Sequence, residues 1–214
     1  MQQLPLDISP ASTPDFDNYV AGRNAEALAR VRELAAGTLG EAIVYLWGEA
    51  GSGRTHLLQA AAASANPKLT LADDVETLDA RAQQALFIAI NSARDGHGGV
   101  LAAGDKPPAR LELREDLRTR LAWGLVYQLH PLGDQEKALH LKSLAERRGL
   151  ELSDEVVRYI LTRLPRDFAN LNTVMEVLDK YSLARQRAVT LPLVKEALSA
   201  WESGRLVPRQ AERP

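Results

Sequence analysis

The stretch from Ala42 to Ala63, AIVYLWGEAGSGRTHLLQAAAA, decides the fold. Its first six residues, Ala42 to Trp47, are almost unbroken apolar and end at a glycine, the pattern of a strand covered on both faces of a parallel sheet. From Arg54 onward alanine and leucine dominate, which favours helix. Strand, glycine loop and helix in that order form half of a phosphate-binding βα unit, so the expected class is α/β. Gly48, Gly53, Arg54 and Thr55 fit G-x-x-x-x-G-K-[ST] with arginine in the lysine place. Glycines let backbone amides wrap a phosphate, the helix N-terminus adds partial positive charge, and Thr55 is placed to reach a magnesium ion. Arg54 can neutralise a β-phosphate, but its broad planar head replaces a compact ammonium, so hydrolysis by this chain alone is not expected. A glycine-rich turn without a ligand is the alternative reading of the same residues.

Downstream, Leu69 to Asp74, LTLADD, reads as an apolar strand ending in two carboxylates, and Asp73 is the candidate magnesium ligand. The alternative makes Asp73 or Asp74 the cap of a helix that begins DVETLDARAQQAL. Only 18 positions (73 minus 55) separate Thr55 from Asp73, room for a helix and a turn but not for a further strand, so four strands are expected in place of five. Val100 to Ala103 reads as the next buried strand, with Asp105 near its tip, and Leu125 to Leu129 as the last. Arg114, Arg118 and Arg120 fall on the helix before it, either as a solvated face or as a cation acting across a subunit boundary. From Gly133 on, the periodicity is helical throughout.

Upstream, Ala25 to Ala35 carry apolar residues at helical spacing and are stopped by Gly37 and Gly40. Before them, MQQLPLDI cannot form a regular helix, because Pro5 interrupts it and Pro10 follows just after, and it reads as an extended tail. Either it packs as a strand on its own domain or it is a peptide offered to another protein's pocket. With 214 residues, 45% of them hydrophobic, the chain can bury a substantial core. Its 26 basic and 28 acidic residues leave a net charge of -2, which gives no footprint for duplex DNA or an acidic membrane. The absence of cysteine excludes disulfides and thiolate metal sites and, with no export signal, fits a reducing cytoplasm. His56, His97, His130 and His140 show no paired ligand spacing.

FDNYVAGRNAEA, WGEAGSGRTHLLQA, LADD, AAGDKPP, LRTRLAWGL and VTLPLVKEAL, in that order and across nearly the whole chain, resemble the AAA+ region of the DnaA family, most closely its smaller Hda members. The resemblance implies an extended clamp-binding tail over 1–14, an AAA+ P-loop domain over 15–132, a helical lid over 133–201 and a C-terminal tail over 202–214. It implies ADP or ATP held by Val20, Gly22, Gly48, Glu49, Ala50, Gly51, Ser52, Gly53, Arg54, Thr55 and His56, with magnesium at Thr55 and Asp73. Gln3, Leu4, Leu6 and Ile8 fit the Q-L-x-L-x-[LI] peptide with which such proteins dock on the DNA polymerase III sliding clamp, two apolar side chains entering a preformed pocket.

Arg120 matches the family's arginine finger, which completes the ATP site of DnaA in trans, with Arg118 and Arg114 as the fallbacks if the helix register differs. The function so implied is negative regulation of replication initiation. About sixteen residues follow VKEAL (214 minus 198), so the initiator's DNA-reading helix-turn-helix and sequence-specific DNA binding are not expected. Ala169 stands where the family carries its sensor II arginine, with Arg166 three residues earlier. A homodimer is compatible with all of this. The rival functions are a nucleotide-independent adaptor between clamp and another protein, and an independent AAA+ ATPase acting as a loader.

Overall fold

The computed structural model describes residues 13–64, 66–163 and 168–202, which fall into two units divided between Leu132 and Gly133. In the first unit, α1 (Ala25–Ala36), β1 (Ile43–Gly48), α2 (Arg54–Ala63), β2 (Leu69–Ala72), α3 (Ala80–Arg94), β3 (Gly99–Gly104), α4 (Glu115–Leu121) and β4 (Leu125–Leu129) follow one another. The four strands form one parallel sheet in the order β2-β3-β1-β4. Four parallel strands are the number expected from the short gap before LTLADD.

Alternation along β1 explains why helices cover both faces. Val44 and Leu46 pack with Ala27, Val31 and Leu34 of α1 and Leu57 of α2. Ile43 and Tyr45 point the other way, into Leu86 and Ile90 of α3 and Leu117 and Leu121 of α4. All four β1 residues are buried, which is why the run reads as continuously apolar. Parallel strands place their C-terminal ends together, and the loops after β1, β2 and β3 therefore emerge at one edge of the sheet.

One boundary differs from the sequence expectation. Strand β2 stops at Ala72, and Asp74 takes a left-handed conformation with φ 44°. A single 3-10 turn, Val75–Thr77, follows and drives Val75 fully into the core. Helix α3 starts only at Ala80, capped by Asp79, whose carboxylate accepts a 2.7 Å bond from the Ala82 amide. The cap is thus Asp79, not Asp73 or Asp74, and the two earlier carboxylates are left for the sheet edge.

The second unit is helical: α5 (Asp134–Arg147), α6 (Asp154–Arg163), α7 (Phe168–Arg185) and α8 (Leu191–Glu202). Leu141, Ile160, Val174, Leu178, Leu193 and Ala197, at helical spacing on their elements, share one core. Gly149, at φ 68°, turns the chain after α5, and Glu136 accepts a 2.7 Å bond from the Gly133 amide to close that helix's start. No helix among the described residues is long and apolar enough to cross a membrane.

Candidate functional site

The loop between β1 and α2 is built by close approach. A Cβ on Gly48 would meet the Leu129 carbonyl at 2.4 Å, and Gly53, at φ 98°, has the Tyr19 ring where its Cβ would come to 2.7 Å. No other residue type fits either place without displacing backbone or ring. Helix α2 starts directly after Gly53, so its first amides, which have no partner within the helix, open onto the loop. Ser52 is buried, and its Oγ has no hydrogen-bond partner among the described residues. Nor has the buried Nη1 of Arg54. Two orphaned donors beside a glycine loop and a helix N-terminus fit an anion with acceptor oxygens, and a nucleotide phosphate meets that requirement.

Arg54 does not stand alone. Its Nη1 lies 3.7 Å from Asp74 Oδ1 and 3.9 Å from Glu76 Oε1, and its side chain is only 13% exposed. Both distances are ion-pair contacts too long for a direct hydrogen bond. Glu76 in turn accepts a 3.3 Å bond from the Asp105 amide at the tip of β3. The Tyr45 hydroxyl, bonded at 2.8 Å to the Lys106 carbonyl, sits against the same group, and burial followed by the Glu76 and Asp105 charges pushes its pKa far up. Asp73 accepts the Asp74 amide at 2.9 Å, and Thr55 is exposed at the start of α2. Among the described residues no group of three or more His, Cys, Asp or Glu could hold a metal, so magnesium at Thr55 and Asp73 would take most of its ligands from phosphate and water.

The segment before α1 closes over the loop. Asn24 is buried and pairs twice with His130 after β4, donating to its carbonyl and accepting from its amide, each at 2.8 Å. It also donates to the Tyr19 hydroxyl at 3.3 Å, and burial raises the pKa of that hydroxyl. The Tyr19 ring meets His56 edge-on at 5.3 Å, while His56 Nε2 lies 2.9 Å from the Asp15 carbonyl. Of the expected nucleotide set, His56 meets Tyr19 beside the glycine loop, while Val20 and Gly22 lie between Tyr19 and Asn24 in the chain. Tyr19 and Asn24 were not singled out by sequence; Asn24 lies 106 positions from His130, and no local pattern marks such a contact.

Arg120 lies elsewhere, on α4. Its guanidinium is 4.1 Å from the Phe87 ring centroid and 4.9 Å from that of Trp123. Its Nε donates to Asn91 at 2.8 Å and its Nη1 to the Asp116 carbonyl at 3.2 Å, which leaves Nη2 without a hydrogen bond among the described residues. Arg114 bonds Gln84 at 2.7 Å and Asp116 at 2.6 Å; its hydrogen bond, more than its charge alone, holds the Asp116 carboxyl below the usual range. The Arg94 guanidinium also lies over the Trp123 ring, 4.2 Å from its centroid. An arginine held between two aromatic rings keeps its charge and loses little freedom on meeting a phosphate. Gln3, Leu4, Leu6 and Ile8 lie outside the described residues, as do Arg166 and the side chain of Ala169.

Residues 134–198 match the family described as Hda, lid domain. The fold is similar to domain III of the replication initiation protein DnaA from Thermotoga maritima, with a TM-score of 0.70 and 21% identity over 92% of this chain and 98% of that one. AMPPCP-bound DnaA from Aquifex aeolicus gives a TM-score of 0.65 and 21% identity over 80% and 66%. The RuvB Holliday junction branch migration motor of Thermotoga maritima follows at 0.64 and 15% over 89% and 72%. At these identities the likeness is one of fold, shared by proteins with different tasks.

Proposed function

We propose that this DnaA-like AAA+ chain, whose lid is of the Hda type, is a cytoplasmic negative regulator of replication initiation that docks on the sliding clamp and stimulates hydrolysis of ATP held by DnaA. The observation that carries the reading is the state of its two key arginines. Arg54, in the place of the loop's lysine, brings a charge that can meet a phosphate on a broad planar head poorly suited to positioning one for cleavage, and it is partly occupied by Asp74 and Glu76. Arg120 is stacked and braced on a different element with Nη2 unspent, as a cation meant for a phosphate outside its own loop would be. A charge aimed at the γ-phosphate lowers the barrier only as that bond breaks, which is how a finger supplied in trans works.

In this reading the glycine loop binds ADP or ATP through its amides, Ser52 and Arg54, with Val20, Gly22 and His56 on the base and ribose side. The N-terminal Gln3, Leu4, Leu6 and Ile8 bring the chain to the clamp, and DnaA is the second partner. Bound nucleotide supplies no chemistry here; it fixes the loop and the Tyr19 clasp. The test is to mix the protein with clamp loaded on DNA and ATP-bound DnaA and to follow ADP formation. The parent should accelerate hydrolysis and Arg120→Ala should lose most of that effect, since fingers of this type contribute roughly 10³- to 10⁵-fold. An Arg120→Ala protein as active as the parent removes the finger, and a parent without effect on DnaA favours an adaptor role.

A further inference from the structure

Glu76 occupies a place the fold has cleared for it. A Cβ on Gly104 would come within 2.4 Å of the Tyr45 hydroxyl and 2.9 Å of Glu76 Oε2, so only glycine at the end of β3 lets that carboxylate sit against the sheet edge. From there one oxygen is held by the Asp105 amide at 3.3 Å and the other faces Arg54 Nη1 at 3.9 Å. Glu76 is three-quarters covered. Asp74 approaches the same nitrogen at 3.7 Å from a left-handed residue, so a strained turn and a missing side chain converge on a single cation.

We propose that Glu76, assisted by Asp74, is the resident counter-anion of Arg54 and sets how strongly the loop takes up phosphate. This rests on the nucleotide-binding part of the reading above. An incoming diphosphate must draw the guanidinium away from two carboxylates, and those carboxylates then face the phosphate oxygens with their own charge uncovered. Affinity for phosphate is lowered in both steps, whereas contacts to base and ribose are untouched. Glu76 is thus a positioning residue that acts through Arg54.

Glu76→Gln keeps an oxygen for the Asp105 amide while removing the charge, and Asp74→Asn suits the left-handed backbone. Calorimetry would compare ADP with adenosine, without magnesium, on the full chain. Glu76→Gln should bind ADP about fivefold more tightly than the parent, the scale of one partly covered ion pair, and adenosine equally well. Asp74→Asn should move in the same direction by less. A variant that gains nothing for ADP, or gains alike for ADP and adenosine, overturns the counter-anion. If the parent binds ADP in that case, the nucleotide reading stands without it; if neither protein binds ADP, both fall.

Discussion

Arg54 and Gly104 are the residues on which the loop's chemistry turns. The arginine extends past the glycine loop to the carboxylates after β2, and its head is nearly enclosed, 13% exposed. Arg54→Ala removes the side-chain charge of the phosphate cradle while leaving the glycines and helix amides, so ADP affinity measured by calorimetry should fall; equal binding by parent and variant would mean that the amides alone hold the ligand. Gly104→Ala tests the same edge through packing. The added methyl would collide with Tyr45 and Glu76, both held by hydrogen bonds, and should destabilise the fold by about 1–3 kcal/mol in denaturant titration. A stable Gly104→Ala protein would show that Glu76 swings out at little cost, and the charge argument for Arg54 would weaken with it.

Among the elements, the clasp of the segment before α1 onto the end of β4 depends on one amide side chain. Asn24→Ala would leave the His130 N–H and carbonyl without their buried partner, a cost of about 1–3 kcal/mol that chemical denaturation would register. No local pattern in the sequence joins the two ends of this contact, 106 positions apart. The sequence did mark β1, α2, β3, β4 and the four lid helices, since continuous apolar runs and 3.6-residue spacing are local signals that burial then confirms on both sheet faces. It left the start of α3 open, the alternative reading putting its cap at Asp73 or Asp74, whereas the cap is Asp79, after the 3-10 turn that buries Val75. The phosphate loop was legible as a motif; the pairing of Arg54 with Asp74 and Glu76 was not, as it depends on how β2 and β3 bring distant loops to one edge. The ring pair around Arg120 escaped for the same reason: Phe87 lies on α3 and Trp123 beyond α4.

At the scale of the whole molecule, the proposed regulator divides recruitment from chemistry, and the two should be separable by mutation. The proposed clamp peptide, Gln3, Leu4, Leu6 and Ile8, precedes the described residues in the chain, while the Arg120 stack is internal to the first unit, formed by α3, α4 and Trp123. Replacing Gln3, Leu4 and Leu6 by alanine removes the side chains that would enter the clamp pocket and changes none of the described core residues. Clamp binding in a pull-down or by surface plasmon resonance should therefore be lost with the melting temperature unchanged. Such a protein should still stimulate DnaA when its concentration is raised enough to replace the clamp's local concentration effect, because Arg120 is intact. Arg120→Ala should behave in the opposite way, binding the clamp as the parent does and failing at every concentration. A tail variant that keeps parent affinity for the clamp would place the docking surface elsewhere on the chain, and one that melts earlier would assign the tail to the fold itself.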